Sequence, residues 1–223
     1  MKVTVFNGSP AAAHSATHVL ADAFLRGALR AGAEVEEVFL SEYDVRQCQG
    51  CFACWFKTPG RCVLHDDMAT LLARYQASDI VAFGTPVYTW NMTALLKNFV
   101  DRLAPLKAPQ LVETQGHFDL ADAAVKTQRF VVLANCGFPG DNNFAVLQAA
   151  MACCAPVLEV YRNCGKLLVS KQEMACECVK KWLPALERAG EELVQMGDVC
   201  AETRAALAAP LMSTEDYVRF LGM

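Results

Sequence analysis

The sequence predicts a doubly wound α/β domain, in which helices cover both faces of a parallel sheet. Five short apolar runs rich in β-branched residues alternate with five segments of helical periodicity. Strands that are buried on both faces read as nearly continuous apolar runs, and their alternation with helices is typical of βαβ units. A chain of 223 residues has the size of one large domain, so we expect a single domain over residues 1–223.

Each predicted element follows from its local pattern: apolar runs for strands, and apolar residues three and four positions apart for helices. The predicted strands are Val3–Phe6, Val35–Leu40, Asp79–Gly84, Arg129–Asn135 and Val157–Tyr161. The predicted helices are Ala16–Ala31, Asp66–Gln76, Met92–Leu103, Asn143–Ala155 and Met174–Met196. Three segments interrupt the alternation: the cysteine-rich loop 41–65, the connection 104–128 and the tail 199–223. Long connections are usually functional or mediate contacts. We therefore expect the tail to clasp a neighbour or its own domain.

Charge and composition exclude several classes of partner. The 20 Lys and Arg residues stand against 24 Asp and Glu, for a net charge of −4, and no basic block occurs, so we expect no nucleic-acid partner. The N-terminal apolar run is too short for a signal peptide, and no later run reaches the roughly 18 apolar residues of a membrane span. The sequence thus favours a cytoplasmic protein without a membrane partner.

Eleven cysteines are many for a reducing compartment, where they indicate metal binding, redox chemistry or packing rather than disulfides. Four of them lie close together in the loop 41–65. A second group, which lies in apolar or helical surroundings, is interpreted mostly as packing: Cys153, Cys154, Cys176 and Cys178.

The loop NGSPAAAHSAT after the first predicted strand has the position of a phosphate site. It lacks G-x-G-x-x-G and the P-loop pattern, which disfavours NAD as the sheet-bound cofactor and ATP. It has no Lys or Arg, but it offers the hydroxyls of Ser9, Ser15 and Thr17 together with the N–H groups at a helix start. Such neutral donors can bind a phosphomonoester. The alternative that Ser15 and Thr17 only cap the helix stays open.

Three segments together resemble the NADPH-dependent FMN reductase branch of the flavodoxin-like superfamily. They are the loop just described, GTPVYTWNMTALLKNFVDR at 84–102 and NCGFPGDNNF at 135–144, and they occur in the family's order and spacing. The resemblance implies a flavodoxin-like, five-stranded parallel sheet that binds FMN without a covalent bond. It also implies transfer of electrons from NAD(P)H to a quinone, a flavin or another small acceptor. The long connection 104–128 and the apolar tail predict a homodimer or homotetramer, because a flavin at the sheet edge usually needs a partner surface to cover it.

The same resemblance implies which residues contact FMN. The phosphate contacts are Ser9, Pro10, Ser15, Ala16 and Thr17; the ring and ribityl contacts are Pro86, Val87, Tyr88, Trp90, Asn91 and Met92; the other ring edge is Asn135, Cys136, Gly137 and Phe138. No catalytic side chain is expected, because the flavin carries the chemistry. The alternative is that Tyr88 and Trp90 are core aromatics and Cys136 a buried filler. The four histidines have no ligand-like spacing and are interpreted as ordinary.

The cysteine loop CQGCFACWFKTPGRC has the spacing C-x2-C-x2-C-x7-C, formed by Cys48, Cys51, Cys54 and Cys62. Its first three cysteines repeat the ligand spacing of bacterial ferredoxins. The loop also resembles the motif of iron–sulfur flavoproteins, which implies a [4Fe-4S] cluster and electrons from ferredoxin. Two other interpretations stay open: plain packing or redox thiols, and zinc, whose ligands more often come as two separated pairs. The remaining functional class is a non-enzymatic regulatory module containing flavin or zinc.

Overall fold

A five-stranded parallel sheet lies at the centre of the computed structural model, which describes residues 1–114, 116–122 and 128–223. In chain order the strands are β1 Lys2–Asn7, β2 Glu34–Phe39, β3 Ile80–Pro86, β4 Lys107–Thr114, β5 His117–Asp122, β6 Arg129–Asn135 and β7 Leu158–Arg162. The sheet has the order β2-β1-β3-β6-β7, whereas β4 and β5 form a separate antiparallel hairpin. Numbered within the sheet alone, this order is 2-1-3-4-5, which is the flavodoxin-like order. The predicted fold class is confirmed.

Helices cover both faces of the sheet. They are α1 Ala16–Arg30, α2 Ala53–Phe56, α3 Met68–Ala77, α4 Ala94–Asp101, α5 Ala145–Ala152, α6 Glu173–Met196, α7 Ala201–Ala208 and α8 Thr214–Phe220. Short 3₁₀ turns occur at Ala12–His14, Leu40–Glu42, Ala104–Leu106, Asp141–Phe144 and Gly165–Val169. All ten predicted strands and helices are present. No helix within the described ranges has the length and apolarity that crossing a bilayer requires.

The core is divided by the sheet into two apolar layers. One layer packs α1 and α6 against the sheet, and the other packs α3, α4 and α5 against the opposite face. In the first layer the two helices approach so closely that their glycines have no room for a side chain: a Cβ at Gly27 would lie 1.7 Å from the Glu187 carbonyl oxygen, and one at Gly190 would lie 2.1 Å from that of Phe24. Helix α6 thereby closes the domain over its N-terminal helix.

The two other unassigned segments contain structure that the sequence analysis did not assign. Within the connection 104–128, a 3₁₀ turn precedes the β4–β5 hairpin, and residues 115 and 123–127 lie outside the described residues. In the tail, Leu207 of α7, Leu211 between the two helices and Tyr217 of α8 lie in the same apolar layer as α1 and α6. The tail was expected to pack on a neighbour or on its own domain, and in the structure it packs on its own domain.

Candidate active site

The loops that follow β1 and β3 are joined directly to each other at the carboxyl edge of the sheet. The Gly8 N–H donates to the Gly84 carbonyl oxygen at 2.8 Å, and the Thr93 hydroxyl donates to the Gly8 carbonyl oxygen at 2.7 Å. A Cβ at Gly8 would lie 2.7 Å from the Leu96 Cβ, so only glycine fits this close approach. The strand order reverses between β1 and β3, and ligands of open α/β sheets bind at such a point.

The hydroxyls of the β1 loop are buried and already engaged in hydrogen bonds. Ser15 is the N-cap of α1: its Oγ accepts from the His18 N–H at 3.0 Å and donates to the Ala12 carbonyl oxygen at 2.7 Å. Thr17 Oγ1 accepts from the Asn135 side-chain amide at 2.8 Å, and Ser9 Oγ accepts from the Ala11 N–H at 3.4 Å. Ser15 therefore caps the helix. The other N–H groups of the first turn of α1, which have no intrahelical acceptor, add donors at the same place.

A polar network behind this loop was missed by the sequence analysis. Glu37 on β2 accepts from the Asn7 amide at 2.8 Å through Oε1, and its Oε2 lies 2.7 Å from Nδ1 of His18. Asn7 in turn accepts from the Ser9 N–H at 2.8 Å. Burial raises the pKa of Glu37, although Asn7 and His18 partly offset this effect. The network holds both ends of the loop, so His18 is a positioning residue rather than an unpaired histidine.

The β3 loop contains a strained turn that presents an aromatic ring to solvent. Tyr88 and Asn91 exchange two backbone hydrogen bonds of 2.9 and 3.1 Å, which makes a two-residue hairpin of Thr89 and Trp90. Both residues have positive φ, 49° and 62°, which a β-branched residue and a tryptophan rarely adopt. Trp90 is 59% exposed and Tyr88 is 54% exposed, so the alternative that these are core aromatics is wrong. Strain that presents an exposed ring is typical of functional sites.

The β6 loop lies beside the β3 loop. The Val87 N–H donates to the Asn135 carbonyl oxygen at 2.7 Å, which joins the two loops, and Asn135 also reaches Thr17 in the β1 loop. Cys136 is buried, whereas Phe138 is 70% exposed. The remaining residues expected to contact FMN range from half-buried to exposed: Pro10 and Gly137 are exposed, and Ala16, Pro86, Val87, Asn91 and Met92 are half-buried. The three loops expected to hold one ligand are thus brought together at one edge.

The four cysteines of the loop 41–65 line one cavity of about 70 Å³. The rest of its wall is mainly apolar and includes Phe52, Trp55 and Pro105. Burial raises the pKa of the Cys54 thiol, and the neighbouring sulfurs of Cys62, Cys51 and Cys48 raise it further. The sequence motif is therefore also a cluster in space. Of the other cysteines interpreted as packing, Cys154, Cys176 and Cys178 are half-buried, but Cys153 is exposed, so packing does not explain it.

Arginine 102 forms the inner wall of this cavity, and it was also missed by the sequence analysis. It is 1% exposed and forms an ion pair with Asp66, whose side chain is fully buried, through bonds of 2.7 and 3.0 Å. It also donates to the Arg46 carbonyl oxygen at 2.5 Å. Arg46 precedes the first cysteine of the loop and Asp66 follows the last one. Arg102 therefore fastens both ends of the cysteine loop to α4.

The four thiols do not surround one point as the ligands of a mononuclear metal do. Within the described ranges, no three His, Cys, Asp or Glu side chains converge closely enough to hold a single metal ion. A cubane cluster has a different requirement, because each thiolate binds a separate iron atom at the surface of a larger inorganic core. Four thiols around one mainly apolar cavity fit that requirement in the chemistry of the donor set.

Comparison with known proteins identifies the family. A model of the NADPH-dependent FMN reductase family matches residues 1–125, which include the β1 loop, the cysteine loop and the β3 loop. The chain belongs to this family. Curated relatives include an iron–sulfur flavoprotein of Archaeoglobus fulgidus, 40% identical over 105 residues that make up 47% of this chain and 46% of the relative. An iron–sulfur flavoprotein of Methanosarcina thermophila is 34% identical over 107 residues, 48% of this chain and 54% of that protein. The chain thus spans about half the length of the curated relatives it matches.

Solved structures of a quinone oxidoreductase and an azoreductase share the fold. The NAD(P)H:quinone oxidoreductase of Methanothermobacter marburgensis has a TM-score of 0.61 and 19% identity, with 86% of this chain and 96% of that chain covered. The FMN-dependent NADH-azoreductase of Bacillus anthracis has a TM-score of 0.60 and 14% identity, with 87% of this chain and 99% of that chain covered. At these identities the likeness shows the fold alone. It agrees with the flavodoxin-like strand order of the sheet.

Proposed function

We propose that the chain is an FMN-dependent oxidoreductase that passes reducing equivalents from NAD(P)H to a small acceptor such as a quinone or a free flavin. Family membership supports the reaction class. The observation that carries the proposal is the convergence of the β1, β3 and β6 loops at the switch point of a flavodoxin-like sheet, where neutral donors and exposed aromatic rings meet.

The phosphate of FMN fits the β1 loop. First-turn N–H groups of α1 and the positive end of its dipole supply favourable contacts for an anion without any lysine or arginine. Ser9 and Thr17 accept hydrogen bonds in this structure, which leaves their hydroxyl protons for the phosphate oxygens, while the hydroxyl proton of Ser15 is directed to Ala12. In this proposal Ser15 acts mainly as the cap that orients the helix, and Pro10 and Ala16 line the loop.

The isoalloxazine ring and ribityl chain fit the adjacent β3 and β6 loops. Two sets of residues, one from each loop, would enclose them: Pro86, Val87, Tyr88, Trp90, Asn91 and Met92, and Asn135, Cys136, Gly137 and Phe138. Bound FMN would supply the hydride and electron transfer. The protein's own part is to hold the ring, to exclude water from it with Trp90 and Phe138, and to keep the loops joined through Asn135. No side chain is assigned an acid–base role.

The proposal is tested by measuring flavin content and flavin reduction on the same sample. We expect the purified or FMN-reconstituted protein to bind one class of flavin, identified as FMN after release by heat, and to oxidise NADH or NADPH in the presence of a quinone. Protein that retains no FMN after reconstitution would contradict the proposal and would favour a regulatory module. Protein whose FMN is reduced by neither nicotinamide would contradict the electron donor alone.

A second candidate function is that of an iron–sulfur flavoprotein in electron transfer, fed by a ferredoxin-like carrier. It is favoured by one specific observation, the common cavity of Cys48, Cys51, Cys54 and Cys62, together with curated relatives of that name. In this candidate the four thiolates would hold a [4Fe-4S] cluster, which would supply one-electron transfer beside the flavin. The alternatives are free redox thiols and zinc.

Anaerobic purification with iron, sulfide, zinc and flavin assays separates these alternatives. If the loop holds a cluster, Cys51→Ser should remove the iron, the sulfide and the brown absorbance but leave FMN bound. Cys153→Ser is the matched control, because Cys153 is an exposed cysteine outside the loop. Absence of iron from the anaerobic parent protein, combined with fast NAD(P)H oxidation, would eliminate this candidate; zinc without sulfide would replace it by the zinc interpretation.

Three features of the whole protein belong to the same proposal. All eleven cysteines are free, which supports a reducing, cytoplasmic location. Packing of α7 and α8 into the core supports one domain over residues 1–223. Exposed apolar side chains on the β4–β5 hairpin support a homodimer or homotetramer.

A further inference from the structure

The environment of Arg102 is incomplete in one specific respect. Its two terminal nitrogens bind Asp66 and the Arg46 carbonyl oxygen, but its buried Nε–H has no acceptor in the part of the chain that the structure describes. Buried donors are nearly always satisfied, and an unpaired one requires an explanation. The unpaired group lies in the wall of the cavity that the four cysteines line.

One cysteine of the four shares more of its surroundings with Arg102 than the others do. Cys62 and Arg102 both line the cavity of the four cysteines, and both also line a second cavity that does not include Cys48, Cys51 or Cys54. Cys62 is the last cysteine of the motif and is separated from the other three by seven residues. A hydrogen bond from Arg102 would restrict where the end of this spacer places its sulfur.

Charge also favours this pairing. A thiolate at Cys62 is an acceptor for the remaining N–H, and N⁺–H donors form their strongest hydrogen bonds with anions. A metal-bound cysteine is a thiolate, so Cys62 as a ligand would supply the acceptor that the Arg102 Nε–H lacks.

We propose that Arg102 is the positioning residue of Cys62: its Nε–H donates to the Cys62 thiolate, directs this sulfur to the proposed cluster and raises the cluster's reduction potential. This inference rests on the second candidate function. Reduction adds one electron and hence one negative charge to the cluster, and a cationic N–H donor at a ligand sulfur stabilises the more negative state. Net charge and hydrogen bonds to the sulfurs are among the features that set such potentials.

The test is a dithionite titration of the anaerobically reconstituted full-length protein, with the cluster potential followed by electron paramagnetic resonance. We expect Arg102→Gln to lower the ratio of reduced to oxidised cluster at a fixed potential by at least tenfold, which is a shift of about 59 mV for a one-electron couple. Arg102→Lys should recover part of the potential, because it keeps the charge but loses the planar fork. Arg61→Gln is the matched control, since Arg61 is exposed in the same loop and precedes Cys62 directly.

A variant that leaves Asp66 without its partner is expected to fold poorly, so a second variant is included. The double change Asp66→Asn with Arg102→Gln removes both buried charges together and leaves two amides that can bond each other. The double variant should show the same lowered ratio of reduced to oxidised cluster as Arg102→Gln. An unchanged cluster potential in both variants would overturn this inference, and so would a change in Arg61→Gln as large as that in Arg102→Gln. Neither result would contradict the presence of a cluster. Parent protein without iron and sulfide would overturn both the inference and the cluster.

Discussion

The hydroxyl of Tyr217, six residues from the end of the chain, donates a 2.7 Å hydrogen bond to the carbonyl oxygen of Gly137 in the β6 loop. Tyr217 is fully buried and stacks on Phe220 in the same helix, α8. The C-terminal helix therefore anchors the loop that the proposal places at the edge of the flavin ring. A tail that packs on its own domain thus also reaches the candidate site.

We expect Tyr217→Phe to weaken FMN binding while the fold is kept. The change removes only the hydroxyl, and one hydrogen bond contributes about 1 kcal/mol, which corresponds to a roughly fivefold rise in the dissociation constant. Quenching of flavin fluorescence measures this constant. Tyr43→Phe is the control, because its hydroxyl accepts from Arg74 in the last turn of α3, before the amino end of β3. Equal affinities for Tyr217→Phe and the parent would show that the anchor has no effect on the site.

The phosphate assignment leads to a test in which the cap is kept and the charge is changed. Asp caps helices as well as Ser does, so Ser15→Asp should leave α1 folded. It places a carboxylate at the start of α1, beside the place proposed for the phosphate dianion, and we expect FMN affinity to fall by more than tenfold through repulsion. Riboflavin, which lacks the phosphate, is the control ligand and should bind parent and variant alike. An equal loss of affinity for FMN and for riboflavin would mean that the substitution disrupts the loop structure and does not act through its charge.

The strained turn predicts opposite effects on stability and binding. Replacing Trp90 by glycine removes a left-handed strain of about 1–2 kcal/mol, while glycine's added chain entropy offsets about half of it. We therefore expect Trp90→Gly to raise the free energy of unfolding by about 0.5–1 kcal/mol and to weaken FMN binding several-fold, since an aromatic contact is lost. Urea denaturation and fluorescence titration measure the two quantities.

Ala155 provides the control for this prediction, because it has a φ of 45°, is exposed, and follows α5 before the amino end of β7. Ala155→Gly should give a similar gain in stability with unchanged FMN affinity. If Trp90→Gly binds FMN as the parent does, the exposed ring has no part in the flavin site.

Sequence patterns were sufficient for the sheet because its central strands β1, β3 and β6 are buried on both faces and the helices are amphipathic, and both properties are local. They also placed the β1, β3 and β6 loops correctly, since these loops follow strands directly. They failed for Arg102, whose role depends on Asp66 and Arg46 at sequence separations of 36 and 56. A lone arginine after an apolar helix has no local signal of burial.

The Asn7, His18 and Glu37 network was missed for a related reason. Glu37 looks like the solvent side of an edge strand in the sequence, but it pairs with Asn7 at the end of β1 and with His18 of α1, which only the fold brings near. Helices α7 and α8 are short, and their apolar residues are recognised as core only when the layer beneath them is known. Non-local polar pairs and short terminal helices were therefore beyond local patterns.

The buried pair Asp66–Arg102 predicts a pH dependence of stability. Burial raises the pKa of Asp66, but the hydrogen bonds from Arg102 and from the Arg46 and Met68 N–H groups, together with the charge of Arg102, outweigh it, so the folded pKa lies below the ordinary value of 3.8. A carboxyl with a depressed pKa contributes stability that is present above its unfolded value and is lost as the pH falls through the folded value. We therefore expect the parent's free energy of unfolding to fall below about pH 4 in part because of this residue.

Asp66→Asn isolates this contribution. At neutral pH it leaves Arg102 buried without its anion, which should cost roughly 3–5 kcal/mol in the free energy of unfolding. The difference between parent and variant should shrink as the pH falls below about 4. Asp101→Asn is the control, because this partly exposed carboxylate pairs with Lys97 at the surface and should change stability by under about 1 kcal/mol. Denaturation across pH 3 to 7 would contradict the prediction if the difference stayed constant.

The β4–β5 hairpin leads to a prediction about assembly. Leu111 and Phe118 are 70% and 69% exposed, and the strand register, in which Leu111 pairs with Leu120 and Glu113 with Phe118, places them on one face of the hairpin. Two large apolar side chains on one exposed face mark a contact surface rather than isolated exposure. We expect the protein to be a homo-oligomer at micromolar concentration and the double variant Leu111→Asp with Phe118→Asp to be smaller by light scattering. Leu29→Asp, at a single exposed leucine on α1, is the matched control and should keep the parent's mass. A monomeric parent would contradict the oligomer itself, whereas an oligomer that persists in the double variant would place its interface on another surface.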